Sequence, residues 1–255
     1  MNSEKSRTLS AAETAQHRER IWSELAKVAR PDSRFHWDFS SFIADFDGSD
    51  TCARKVTELD VYQDGGLMFI TPDNSTEAFR LQAMRDERPF LMTTYGLVRG
   101  FLYLEANVVP EADRRYAATL DGMDRYARPV TLAEIEELAP ITLLVTGGSA
   151  VSANGVRFGK GHGYFDLEWA MLSEIGRVDD DSQIVDVVHD CQVVDEVLVG
   201  EEHDVPVDWI VTPTMATRVR DSGRQLGRVR WEMLHDSPLR DVEPMRELRH
   251  RGLLR

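Results

Sequence analysis

Between Ser149 and Glu168 the chain gathers residue types that bind phosphate. Gly159, Gly161 and Gly163 alternate with Lys160 and His162, and Tyr164-Phe165-Asp166 follow directly. Glycine adopts positive φ at little steric cost and lets main-chain N–H groups approach a ligand. Successive N–H groups turned the same way form a concave anion site. Leu167 to Leu172 reads as helix, so its positive N-terminal end is expected to face the same anion. Arg157 and Lys160 add full positive charges, and Asp166 is a candidate for a Mg²⁺ that bridges phosphate oxygens. Tyr164 is a candidate to cover a flat heterocycle with its ring while its hydroxyl makes a hydrogen bond. The competing reading is a surface turn whose glycines only relieve strain, because spaced glycines alone are a weak motif. Arg, Lys, Asp and an aromatic ring in the same short stretch favour phosphate binding.

Other constellations are weaker. Val188-His189-Asp190-Cys191, His203-Asp204 and Asp208 offer metal-ligand types that would have to meet across loops; the commoner outcome is a His that hydrogen-bonds and holds neighbouring loops. Ser149 follows Gly147-Gly148, but no Gly-x-Ser-x-Gly elbow is present. The glycine stretch comes late and carries Lys and His between its glycines, which argues against a dinucleotide-binding unit. The absence of a Gly-Lys-Ser/Thr ending excludes a P-loop. Trp22, Trp37, Trp169, Trp209 and Trp231 are expected in the core or in pocket walls. Arg80 and Arg99 are expected as solvated surface charges; facing a ligand, they would pair with a substrate carboxylate.

The elements that must position these residues follow from pattern. A helix is expected over Ala11–Ala29, ended by Pro31, and another over Asp50–Leu59. The aromatic stretch Arg34–Gly48 shows no period and reads as an extended segment over a core edge or pocket. Strands are expected at Leu67–Thr71, Phe90–Thr93, Ile141–Thr146, Ile184–Val188 and Val207–Val211, as short apolar or β-branched runs. Asn74 with Glu77, and Thr131 with Glu134, resemble capping boxes that open helices. Strand–helix alternation predicts an α/β fold in three layers, a mostly parallel sheet with helices on both faces. Ligands in such sheets sit beyond the carboxyl ends of the strands. That rule gathers Pro72-Asp73-Asn74, Thr93-Thr94-Tyr95, Gly147-Gly148-Ser149, His189-Asp190 and Thr212-Pro213-Thr214 on one rim. A charged C-terminal helix is expected to pack through Met245 and Leu248.

The 255 residues suit a single domain over 1–255, with residues 1–10 expected to be disordered. A net charge of −14 argues against a general nucleic-acid surface. No apolar run approaches the length of a membrane span, and two distant cysteines fit a reducing cytoplasm.

Gly155-Val156-Arg157-Phe158-Gly159-Lys160-Gly161-His162-Gly163-Tyr164-Phe165-Asp166 resembles the signature of 5-formyltetrahydrofolate cyclo-ligases, also called methenyltetrahydrofolate synthetases. His203 to Thr214 is similar to that family's second block. Val188-His189-Asp190-Cys191-Gln192-Val193 and Arg20-Ile21-Trp22 echo the divergent methenyltetrahydrofolate synthetase domain-containing branch. The resemblance implies an architecture related to ribose-5-phosphate isomerase and CoA-transferases. It also implies Mg²⁺- and ATP-dependent closure of 5-formyltetrahydrofolate to 5,10-methenyltetrahydrofolate, in a monomer or homodimer whose partners are a reduced folate and ATP, with no nucleic acid or membrane. By the same resemblance Arg157 and Lys160 meet phosphates, and Gly159, Gly161, His162 and Gly163 form the N–H cradle. Asp166 holds Mg²⁺, Tyr164 lies against the pterin or formyl group, and Arg18 and Arg20 stand nearest the family's N-terminal ATP-binding basic residues. The sequence departs from the family at Phe165, where a second Tyr is usual, and in lacking a clear Lys-x-x-Leu-Arg. A non-catalytic nucleotide- or folate-binding paralogue, or a related activity on another small molecule, is the alternative.

Overall fold

The computed structural model describes residues 19–161 and 163–253. Residues 1–10, the first part of the predicted Ala11–Ala29 helix, Arg18 and His162 lie outside them. In chain order the described elements begin with α1 (residues 19–25), α2 (Ser49–Thr57), α3 (Asp60–Gln63), β1 (Leu67–Ile70), α4 (Glu77–Arg85) and β2 (Phe90–Thr93). They continue with β3 (Phe101–Leu104), α5 (Arg114–Ala117), α6 (Leu120–Tyr126), β4 (Arg128–Val130), α7 (Leu132–Glu136) and β5 (Ile141–Thr146). The last are β6 (Ala150–Ser152), β7 (Arg157–Phe158), α8 (Tyr164–Glu174), β8 (Gln183–Val187), β9 (Val193–Val194), β10 (Trp209–Val211), β11 (Ala216–Arg218) and α9 (Glu243–Leu253).

The strands form an eight-stranded sheet in the order β11-β10-β8-β5-β1-β2-β3-β4. The run from β10 to β2 is parallel throughout, while β11, β3 and β4 add antiparallel edges. The central strands are buried on both faces, so each feeds two cores alternately. Phe69, Leu91, Leu144 and Ile184 face Trp169 and Leu172 of α8, Ile135 of α7 and Met245 of α9. Met68, Ile70, Met92 and Val185 face Val56 of α2, Phe79 of α4 and Met123 of α6. Helices therefore cover both faces, as the strand–helix alternation predicts. A second, three-stranded sheet, β7-β6-β9, launches the glycine stretch from its edge strand β7. Among the described residues no helix is long and apolar enough to cross a membrane.

Local expectations fare unevenly. The Thr131–Glu134 capping box forms. The one at Asn74 does not: Asn74–Thr76 is a 3₁₀ turn and Asn74 Nδ2 donates to Asp32 Oδ2 at 2.8 Å. Helix α1 stops at residue 25, well before Pro31, because Arg30 N donates to the Asp45 carbonyl and Ala29 bridges Phe46. Arg80 is no surface charge. It is fully buried and donates to the carbonyls of Thr71, Asp73 and Ala118. Arg99 is exposed and pairs with Asp124. Trp37 lies half exposed, edge-on to Phe39, rather than in a core or pocket wall.

Candidate active site

The carboxyl ends of β1, β2 and β5 open onto a cleft of about 310 Å³ that the glycine stretch closes from above. Thr71, Asp73, Thr94, Tyr95, Thr146 and Gly147 contribute from the strand ends, and Phe35 and Phe42 from the aromatic 34–48 segment. That segment covers the pocket as expected, but its first half is built of turns, with Asp38 N donating to the Phe35 carbonyl and Ser41 N to that of Asp38, rather than extended. Phe35 stacks on Tyr95 with centroids 5.1 Å apart, and Tyr95 Oη donates to the Ser41 carbonyl at 2.6 Å.

Arg157, Gly159, Lys160, Gly161, Gly163, Tyr164 and Asp166 all line this cleft. Gly161 and Gly163 have φ of 94° and 64°, the left-handed region that favours glycine. Gly159 does not share it, so the alternation supplies two such turns rather than three. Gly163 is the N-cap of α8, which starts at Tyr164, earlier than Leu167. The ammonium of Lys160 donates to the Ser41 carbonyl at 3.3 Å and stands 4.9 Å from the Tyr95 ring centroid and 5.6 Å from that of Tyr164. Burial pulls its pKa below the usual lysine range, while Asp73 and Glu168 oppose that shift.

Arg157 is only 9% exposed. Its guanidinium lies 4.5 Å over the Phe165 ring, with Nη2 at 3.7 Å from Asp166 Oδ1. Nε and Nη2 make no hydrogen bond among the described residues. Asp166 Oδ1 also accepts from the main-chain N–H of Val205 at 2.9 Å. Near it, burial raises the Asp204 carboxyl above its ordinary value, and the Asp166 charge adds to the rise.

Arg20 stands apart from the cleft. Its Nη2 is 3.1 Å from Glu196, and Ile21 beside it packs on Ala150, Val194 and Leu198 of the small sheet. Arg20, expected against ATP, is not among the residues that line the cleft. His189 accepts from the N–H of Cys191 through Nδ1 and caps a short turn, while His203 lies beside Glu201 and Asp204 at the cleft mouth. No group of three metal-ligating side chains forms among the described residues.

Two buried acids carried no sequence-based role. Glu168 lines the cleft, 2% exposed, and its Oε1 accepts from the Thr93 hydroxyl. Burial pushes its carboxyl up to about 8. Asp186, fully buried on β8, has no hydrogen-bond partner among the described residues for either carboxylate oxygen. A Cβ on Gly148 would come within 2.9 Å of its Oδ2. Burial pushes Asp186 up to about 7, opposed by Arg157. The signal for Asp186 was a charge inside the β-branched run Ile184 to Val188, where an acid is almost never buried without a reason.

The chain is 35% identical over 232 residues to a Homo sapiens methenyltetrahydrofolate synthase domain-containing protein, a match covering 87% of this chain and 59% of that one. It is 30% identical over 244 residues to the Danio rerio protein of that name, covering 91% and 60%. The chain thus spans about 60% of the length of these curated relatives. The NMR structure of Aquifex aeolicus 5,10-methenyltetrahydrofolate synthetase aligns with a TM-score of 0.49 at 16% identity, over 85% of this chain and 97% of that one. The family model for 5-formyltetrahydrofolate cyclo-ligases matches residues 10–213, most of the sequence, and the chain belongs to the 5-formyltetrahydrofolate cyclo-ligase family.

Proposed function

We propose that the protein is an ATP-dependent ligase that closes 5-formyltetrahydrofolate to 5,10-methenyltetrahydrofolate, with ADP and phosphate as the other products. The observation that carries this reading is the meeting of Arg157 and Lys160 in one cleft beside Tyr164, at the carboxyl ends of parallel strands. When bound, ATP supplies the phosphoryl group that turns the formyl oxygen into a leaving group, and Mg²⁺ offsets the phosphate charge.

The chain's own part is positioning and charge stabilisation. The unpartnered donors of Arg157 suit anionic oxygens, and the Lys160 ammonium is desolvated enough for its charge to act strongly. The left-handed turns at Gly161 and Gly163 bring main-chain N–H groups and the start of α8 to the cleft. The donor set suits Mg²⁺, which binds through one or two carboxylates together with substrate phosphates. Asp166 would hold it, with Asp204 as second acid; one bond to the Val205 N–H leaves a carboxylate further acceptor positions. Tyr95, Tyr164 and Phe35 line the same cleft with partly buried rings.

The test is the absorbance of the methenyl product with 5-formyltetrahydrofolate, ATP and Mg²⁺ supplied. ATP-dependent growth of that band is expected. Its absence at ample enzyme, with folate or nucleotide still bound by calorimetry, would establish a non-catalytic binding protein. Absence of both binding and turnover would dismiss the family activity for this chain.

A further inference from the structure

The aromatic side of the cleft is filled from within. Phe35 stacks on Tyr95 and on Phe42, with centroids 5.1 and 6.0 Å away, and the Lys160 ammonium sits against the rings of Tyr95 and Tyr164. While these rings pack on one another and on the cation, a flat ligand cannot lie between them. One atom ties the cover down at this point. The Ser41 carbonyl oxygen accepts from Tyr95 Oη at 2.6 Å and from Lys160 Nζ at 3.3 Å, which occupies both of its lone pairs. The two ends of the cover are pinned to a single residue: Asn74 donates to Asp32 through Nδ2 and to the Ile43 carbonyl through its main-chain N–H. The chain between them forms a loop whose ends stay together. Most of residues 33–41 are exposed, and the Arg34–Asp121 pair at 3.6 Å faces solvent and adds little. Phe35, Phe39 and Phe42 pack with Leu25 and Ala44 in a small cluster apart from the two cores that hold the main sheet. Such a segment opens at far less cost than the sheet does.

We infer that the Lys160–Ser41 contact is an autoinhibitory latch that phosphate releases: an anion at Lys160 draws the ammonium from Ser41, the 33–41 cover loosens, and the organic substrate enters after the nucleotide. This rests on the reading above that Lys160 meets phosphate, and adds to it an order of binding. Two acceptors compete for one donor, and a charged phosphate oxygen makes the stronger bond to an ammonium. Drawn to that nitrogen, it also faces the partial negative charge of the Ser41 oxygen. Tyr95 is then left alone to hold the cover. By linkage, whatever loosens the cover tightens phosphate binding.

ATP is the probe, followed on the full chain by calorimetry and by amide hydrogen exchange over residues 33–41. Bound ATP is expected to speed that exchange by about 10- to 100-fold, the range of a lost hydrogen bond to a charged group. Adenosine, which lacks the phosphates, is expected to leave it unchanged. Tyr95→Phe keeps the ring and removes the other donor to Ser41, so it should bind ATP about 2- to 10-fold more tightly, a gain that a merely structural hydroxyl would not give. 5-Formyltetrahydrofolate should bind about 10-fold or more tightly once a non-hydrolysable ATP analogue is present. ATP that binds while exchange stays unchanged or slows overturns the latch, as do an equal effect of adenosine, a Tyr95→Phe variant with no gain in ATP affinity, and folate affinity indifferent to nucleotide; the phosphate reading of Lys160 survives each of these. If ATP does not bind, that reading and the latch fall together. If ATP speeds exchange but no methenyl product forms, the ligase reading falls and the latch stands.

Discussion

The Nη1 of Arg80 donates to the carbonyl of Thr71 at 2.7 Å, inside a region from which water is excluded. The same nitrogen reaches the Asp73 carbonyl at 3.0 Å and the Thr76 hydroxyl at 2.7 Å, and Nε reaches the Ala118 carbonyl at 2.7 Å. One guanidinium thus clamps the turn that carries Asp73 from the end of β1 into the cleft. Burial draws its pKa down to about 10, so it stays charged. Arg80→Met would leave those carbonyls without donors, and a loss of about 3 kcal/mol or more is expected. Arg80→Lys should rescue little, because an ammonium cannot reproduce the planar fork. Urea melts with an unchanged slope and a lowered midpoint would bear this out; near-wild-type stability of the Met variant would contradict it.

Lys160 differs from Arg80 in facing a space rather than filling one. Its ammonium sits between two tyrosine rings and spends one hydrogen bond on Ser41. Lys160→Ala should therefore weaken ATP by about 10- to 100-fold, the value of a lost charged hydrogen bond, with a smaller effect on folate. Calorimetry with each ligand separately decides it. Equal loss of both would mean that the lysine shapes the slot rather than meeting phosphate.

Much of the frame was legible because burial and pattern coincide. Leu67 to Ile70 is an unbroken apolar run, and it is a strand buried on both faces. Thr131 and Glu134 are close in sequence and need only each other, so the capping box survives folding. Where a residue's partner is distant, local pattern fails. Asn74 gives up its box for Asp32, 42 residues earlier. Arg80 looks solvated until the carbonyls of Thr71 and Ala118 surround it. Strand β4 hides because it contains Pro129 and two exposed residues, a composition only an edge tolerates. Within the site the glycines, Arg157, Lys160 and Tyr164 announced themselves by spacing. Glu168 did not, since an acid in a helix usually faces water and only the Thr93 contact shows otherwise.

Gly163 tests the turn itself. Its φ is 64°, and a Cβ there would meet no atom within 4 Å. Any cost of Gly163→Ala therefore comes from backbone conformation alone, about 1 kcal/mol for a left-handed residue. Gly163→Asn should cost less, because Asn enters this region more readily. Thermal melts of the two variants should rank in that order. The reverse order would indicate that the loop changes shape when substituted.

Asp186 makes stability depend on pH in an unusual direction. Burial holds its carboxyl at about 7 in the folded chain, with Arg157 opposing and Asp73 assisting, whereas an unfolded Asp titrates near ~3.9. Between those values the folded state binds more protons than the unfolded one, so the contribution of Asp186 to stability falls as pH rises. It is fully present below about pH 4 and lost by the time pH has passed about 7. Asp186→Asn imitates the protonated form at every pH and removes this slope. Parity with the wild type is expected at about pH 3, and an advantage on the order of 1 kcal/mol or more for the variant at about pH 8. Urea melts of both proteins at the two values measure the difference. An Asn variant less stable at the higher pH would show instead that Asp186 is ionised there and that its attraction to Arg157 outweighs the cost of burying it.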